Sequence, residues 1–243
     1  MHDTRAPRGY DLEVRQLKDR AVRMGDWAFE MLHEGWRAYA NNDLTTAQAV
    51  LDRDTQLDIF DDDMEHATVA FLVLRQPTAI DLRTAAALLK VTTHLDRIGR
   101  LGFNLARITL PGPNREPPEL TALMQRMDDS VERMVRQAID ALNHDQADQA
   151  RQLFRMDDEV DQMHRDTTRL ILRALGRKSD ANARLANDLL AVRHLERSAD
   201  NAVKIGEKTI YALTGQRRSE YLPRHPYKPY VLENERDHAT SGT

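Results

Sequence analysis

The sequence predicts an all-α protein built as two tandem, pseudo-symmetric three-helix bundles of six long helices, and three observations carry that prediction. First, the chain repeats itself: Met24, Asp26, Met31, Ala38, Ala47, Asp54 and Asp58 recur 103 positions later as Met127, Asp129, Met134, Ala141, Ala150, Asp157 and Asp161. Farther on, His94, Leu95, Asp96 and Arg97 return 100 positions later as His194, Leu195, Glu196 and Arg197, so the second copy has lost three residues in between. A unit of this length is too long for a solenoid repeat. Second, apolar residues recur at helical spacing and nowhere alternate as they would along a strand. Third, glycine is scarce, 10 residues in 243, and the one strong run of helix breakers falls between the copies at Pro111, Gly112, Pro113, Pro117 and Pro118.

Each element follows from period and punctuation. A first helix is expected from about Tyr10 to Ala40, with Met24, Ala28, Met31 and Leu32 on one face. Asn41, Asn42 and Asp43 end it, and Asp43 or Thr45 can cap a second helix running from about Thr45 to Leu74. Gln76 and Pro77 break that helix, with Pro77 suited to the first turn of a third that reaches about Thr109. In the second copy the helices are expected over about Pro118 to Asn143, Gln146 to Leu175 and Asp180 to Thr214, with Gly176 and Gly215 as stops. Helices of about 30 residues would be roughly 45 Å long. The division is therefore 10–110 for the first repeat, 111–117 for a linker, 118–215 for the second repeat and 216–243 for a tail. Pro223, Pro226 and Pro229 alternate with Tyr221, Tyr227 and Tyr230 in that tail, which is expected to be non-helical.

Composition excludes several function classes. There is no cysteine, hence no disulfide, thiolate metal site or cysteine nucleophile. A net charge of −4 argues against nucleic acid as the main partner. Met1 to Gly9 lacks the apolar stretch of a signal peptide, and the longest apolar run, Ala67 to Leu74, is too short to span a bilayer, so a cytoplasmic protein without membrane insertion is expected. No glycine-rich phosphate loop is present, and serine stands in no nucleophile context. Met24, Met31, Met127 and Met134 lie at core spacing and read as packing, as do His94 and His194.

The acidic positions remain. Asp54, Asp58, Asp61 and Glu65 fall within about 60° of arc on one helix. The second copy has Asp157, Asp161 and His164 at the same steps, and Glu196, Asp200 and Glu207 follow i, i+4, i+11 on the last helix. Brought together, these groups form a cluster that only a cation can neutralise. Hard oxygen donors with at most one imidazole suit Mg, Mn or Fe better than Zn. The competing reading is a solvated acidic stripe paired with Arg97, Arg193, Arg197 and Lys204. The copies differ chemically: Glu196 and Asp200 correspond to Asp96 and Arg100, and a guanidinium is no metal ligand. A metal site is thus expected in the second module at Asp157, Asp161, Glu196, Asp200 and Glu207. In the first, Asp54, Asp58 and Asp96 are weaker candidates because Arg100 would hold Asp54 or Asp58 as an ion pair.

The run Arg75-Gln76-Pro77-Thr78-Ala79-Ile80-Asp81-Leu82-Arg83, followed by His94-Leu95-Asp96-Arg97-Ile98-Gly99, resembles the signature of the PhoU family, roughly RQP-x-A-x-DLR and then LERIGD. In the second copy, His194 to Glu207 is similar to the family's LERIGDHxxNIAE, and Tyr211 to Gly215 to its YLVTGE. The likeness covers about Tyr10 to Gly215. It implies tandem three-helix bundles and a cytoplasmic, non-enzymatic negative regulator of phosphate uptake and phosphate-starvation signalling. The implied partners are the high-affinity phosphate ABC transporter, with its ATPase and membrane complex, and the phosphate-sensing histidine kinase; a homodimer is also implied. Metal clusters (Fe, Mn, Mg or Zn) are associated with the family's E/D-x-x-x-D motifs, which fall on Asp54 and Asp58, Asp157 and Asp161, and Glu196 and Asp200. Arg100, Asn201 and Lys204 depart from that pattern, whereas Asn104 keeps it. Alternatives from other classes are a metal-dependent hydrolase or oxidase using the Asp157/Glu196 cluster, and a metal-storage bundle.

Overall fold

The computed structural model describes residues 11–110, 118–175 and 182–221. Among them every regular element is helical. The helices are α1 Asp11–Asn41, α2 Leu44–Leu51, α3 Asp54–Arg75, α4 Ala79–Arg107, α5 Pro118–Asn143, α6 Ala147–Leu175, α7 Asn182–Thr214 and the short α8 Arg218–Tyr221. The six long ones form two antiparallel triplets, α1/α3/α4 and α5/α6/α7. The expected breaks at 111–117 and Gly176, and the proline-rich stretch from residue 222 onward, lie outside the described residues.

Most boundaries follow the residues that set them. Asp43 caps α2 by accepting the Thr45 and Thr46 N–H groups at 3.0 and 3.1 Å and the Thr46 hydroxyl at 2.7 Å. Gln76 ends α3 in the left-handed conformation, φ 44°, with Pro77 after it. Gly215 does the same after α7, φ 76°.

Three expectations are corrected. The second helix is not continuous: it is interrupted at Asp52 and Arg53, whose backbones stay in the right-handed helical region. Asp52 ties its carboxylate to Gln48 Nε2 at 2.9 Å, and Arg53 turns onto α1, 3.2 Å from Glu34 and over the Trp27 ring. The corresponding positions in unbroken α6 are Arg155 and Met156, both better helix formers than aspartate. Pro77 precedes α4 by two residues rather than sitting in its first turn. The segment after Gly215 does contain a helical turn, α8, which ends before Pro223; Glu220 caps it by accepting the Arg217 N–H at 3.1 Å.

Met24, Met31, Met127 and Met134 are fully buried. They belong to one continuous apolar core that also holds Leu57, Leu95, Leu153 and Leu195, so both triplets share it. In the first triplet α1 and α4 cross almost backbone to backbone. A Cβ on Gly35 would stand 2.2 Å from the Gly102 carbonyl oxygen, and one on Gly102 would stand 2.3 Å from the Met31 carbonyl oxygen. The matching positions in the second copy are Ala138 and Ala202, which leave room for a methyl group.

The triplets meet through α4 against α7 and α1 against α5. The pseudo-twofold is visible in single contacts. His33 Nδ1 lies 2.6 Å from Glu132, and the same pair of positions on the other side of the axis carries Phe29 and Arg136, whose guanidinium sits 3.7 Å over the ring. Charged ends are tied by Lys18 to Asp145 at 2.8 Å, and by Arg184 donating to Asn42 at 2.6 Å.

Candidate functional site

In the first module, α3 carries Asp54 and Asp58 past the face of α4 that holds Asp96 and Arg100. The Arg100 guanidinium takes all three acids: Nη1 reaches Asp54 at 3.5 Å, Nε reaches Asp96 at 3.1 Å, and Nη2 bonds Asp58. Burial raises the Asp96 carboxyl above the usual range, and Arg100 pulls against that. For Arg100, burial works against the charge, but Asp96, Asp54 and Asp58 together raise its affinity for the proton. Asp61 is raised by burial and by Asp96 and Glu65, while Glu65 itself is exposed.

The second module places Asp157 and Asp161 on α6 opposite Glu196 and Asp200 on α7. Desolvation, then Asp200, Asp161, Asp158 and Glu196, push the Asp157 carboxyl up to about 7. Glu196 is also pushed up to about 7, by burial and Asp200, although Arg193 holds both its oxygens at 2.9 Å. Asp200 is raised by burial and by Asp161, and Asp161 meets Arg165 at 3.7 Å. Burial lowers His164, as does nearby Arg193. These four carboxylates are therefore brought together. Glu207 stands about 10 Å, two helical turns, beyond Asp200, with Lys204 at 3.2 Å.

Among the described residues no group of three or more His, Asp or Glu side chains closes around one point as a bound metal would require. The donor chemistry nevertheless separates the modules. Asp157, Glu196 and Asp200 are oxygen donors whose charged forms burial and neighbouring carboxylates destabilise, and Asp161 adds a fourth oxygen donor beside them, which fits a hard divalent cation. Asp54, Asp58 and Asp96 do not fit one, because Arg100 already stands among them.

His94 is a packed residue: its Nδ1 lies 3.0 Å from Asn201 Oδ1, and burial lowers its proton affinity. His194 faces no such partner, since Leu101 holds the position equivalent to Asn201. Burial takes its imidazole down to about 4. Asp128 escapes sequence reasoning. It is 2% exposed on α5. Its Oδ1 has no hydrogen-bond partner, its Oδ2 has only the Gln125 amide at 3.4 Å, and desolvation followed by Glu132 and Asp129 pushes it up to about 9. A signal exists in the repeat: its counterpart is Gly25, and its neighbours Met124, Met127 and Val131 are apolar. Gln125 also accepts the Trp36 indole N–H at 3.2 Å, which links this spot to α1.

A duplicated three-helix protein with an acidic corner on each copy, one corner closed by arginine and one open, is the class these observations define. A family model described as PhoU domain matches residues 21–109 and again 124–209. The chain belongs to the PhoU family. It is 30% identical over 219 residues to a "Phosphate-specific transport system accessory protein PhoU homolog" of Caulobacter vibrioides, covering 89% of this chain and 95% of that one. The Escherichia coli (strain K12) "Phosphate-specific transport system accessory protein PhoU" is 24% identical over 207 residues, 85% of this chain and 86% of that one. Among solved structures, PhoU from Pseudomonas aeruginosa superposes with a TM-score of 0.80 at 27% identity, covering 85% of this chain and all (100%) of that one. The phosphate transport system regulatory protein PhoU from Streptococcus pneumoniae gives 0.77 at 24% identity, with 85% and 98% covered. The all-α tandem arrangement and the family resemblance read from the sequence therefore hold.

Proposed function

We propose that this chain is a non-catalytic accessory of phosphate transport, acting on the cytoplasmic side as a negative regulator between the phosphate ABC transporter and the phosphate-sensing histidine kinase. The observation that supports the reading is the match of both halves to the PhoU domain, together with relatives named as phosphate-specific transport accessory proteins. Among the described residues no helix is long and apolar enough to cross a membrane, so the transporter is met through a protein surface. Long helices around one core supply a rigid body suited to that task. The second module binds a divalent cation through Asp157, Asp161, Glu196 and Asp200. The ion would supply positive charge between α6 and α7, biasing which surface the bundle offers a partner. In solution the chain pairs as a homodimer, which analytical ultracentrifugation reads directly.

Deletion of the gene, followed by measurement of phosphate uptake and of a phosphate-repressed promoter in phosphate-replete cells, tests the regulatory role. Both should rise and return to the starting level on complementation. Uptake and promoter activity unchanged by the deletion would overturn it. Co-purification of the transporter ATPase and of the kinase with the tagged chain tests the two partners separately.

A further inference from the structure

The two modules present the same acidic corner with one exchange. Asp54, Asp58 and Asp96 correspond to Asp157, Asp161 and Glu196, while Arg100 corresponds to Asp200. In the first corner one guanidinium sends a different nitrogen to each acid: Nη1 to Asp54, Nη2 to Asp58 and Nε to Asp96, so it bridges α3 and α4. The second corner has no equivalent. Its ion pairs are intrahelical, Arg165 with Asp161 on α6 and Arg193 with Glu196 on α7, and among the described residues none crosses between the two helices there.

We infer that Arg100 is a tethered cation: it permanently fills, in the first module, the place that the second leaves to a dissolved divalent ion, so that only one half of the chain responds to such an ion. The inference rests on the cation reading of the second module. Its physical basis is plain. A guanidinium does not lose its proton in a protein, and its planar fork serves several carboxylates at once. Being covalently attached, it competes from a local concentration that a free ion does not match. A divalent ion entering among Asp54, Asp58 and Asp96 would have to expel Arg100 from three partners rather than displace water. At the second corner Arg193 and Arg165 each hold a single acid of their own helix, so an ion entering among Asp157, Asp161, Glu196 and Asp200 has only those separate contacts to turn aside. The exchange of one residue thus divides a duplicated pair into a constitutive half and a responsive half.

The test is equilibrium dialysis of the full chain against Mn²⁺, with bound metal counted. Wild type should bind Mn²⁺, lose it in Asp200→Asn and keep it in Asp58→Asn. Arg100→Asp should about double the bound Mn²⁺, and the Arg100→Asp/Asp58→Asn double variant should return to the wild-type count. Arg100→Gln, which removes the charge without adding a ligand of the Asp200 type, should gain less than Arg100→Asp. If Arg100→Asp fails to fold without metal, its thermal melt supplies the second readout: a Mn²⁺-dependent rise in Tm larger than that of wild type supports the inference. Mn²⁺ lost from the Asp58→Asn chain, or no gain and no added Tm rise in Arg100→Asp, overturns it. No Mn²⁺ on wild type but a gain in Arg100→Asp that Asp58→Asn abolishes keeps Arg100 as the tethered cation and defeats the second-module reading.

Discussion

Replacing Asp128 by asparagine should stabilise the protein, and by an amount that grows with pH. In the unfolded chain an aspartate ionises near ~3.9. Buried beside Glu132 and Asp129, with one oxygen lacking any partner, it holds its proton up to about 9. The folded-state pKa is raised, so between ~4 and ~9 the folded protein carries a proton that the unfolded chain has released. Stability must therefore fall as pH rises through that window, by ~1.4 kcal/mol per unit. At pH 7 the loss relative to pH 4 is about 4 kcal/mol. That figure depends on the unfolded pKa and on the folded value exceeding 7, and scarcely on where above 7 it lies. Asparagine is neutral throughout and removes this slope, while the other titrations stay common to both chains and cancel in the difference. Urea denaturation followed by circular dichroism from pH 4.5 to 8.5 measures it. The two chains should be within about 1 kcal/mol of each other at the acid end and diverge by up to ~4 kcal/mol near neutrality. Parallel curves would show that Asp128 ionises normally in the folded protein and that its burial argument is wrong.

Other outcomes follow from single contacts. Gly35→Ala should cost about 3 kcal/mol or more, since its Cβ would meet the Gly102 carbonyl at 2.2 Å; a chemical denaturation midpoint equal to wild type would disprove the close crossing. Tyr39→Phe removes the hydroxyl that donates to Asp188 at 2.5 Å, with Asp188 only 1% exposed. The expected loss is about 1–3 kcal/mol, and a variant as stable as wild type in urea would refute it. Cation binding at the second module should strengthen as pH rises through about 7, because Asp157 and Glu196 must give up protons first. Calorimetry in two buffers of different ionisation heat reads the protons released; a pH-independent affinity would sink that link.

The helices and the acidic corners were legible because both are periodic properties of one segment, and the repeat checks each against its copy. Arg100 beside Asp54 and Asp58 was legible for the same reason: the helix pair places i and i+4 positions of α4 opposite the i and i+4 acids of α3. What the sequence hides depends on contacts between segments. The interruption at Asp52 and Arg53 comes from Arg53 reaching Glu34 and Trp27 on another helix. Asp128 becomes unusual only because the packed helices bury it to 2% exposure, a property of the assembled bundle rather than of its own segment. The intrahelical partners of Asp161 and Glu196 were partly concealed, since Arg165 and Arg193 each had several acids within reach by spacing alone.

The apolar core shared by both triplets has a consequence for communication. Leu153 and Leu195 of the second triplet and Leu57 and Leu95 of the first belong to one apolar cluster, with polar contacts such as His33 to Glu132 and His94 to Asn201 also joining the triplets. Such an interior yields little and passes strain along. A change in the spacing of α6 and α7 should therefore strain α1 and α4 as well, through the side chains the two triplets share.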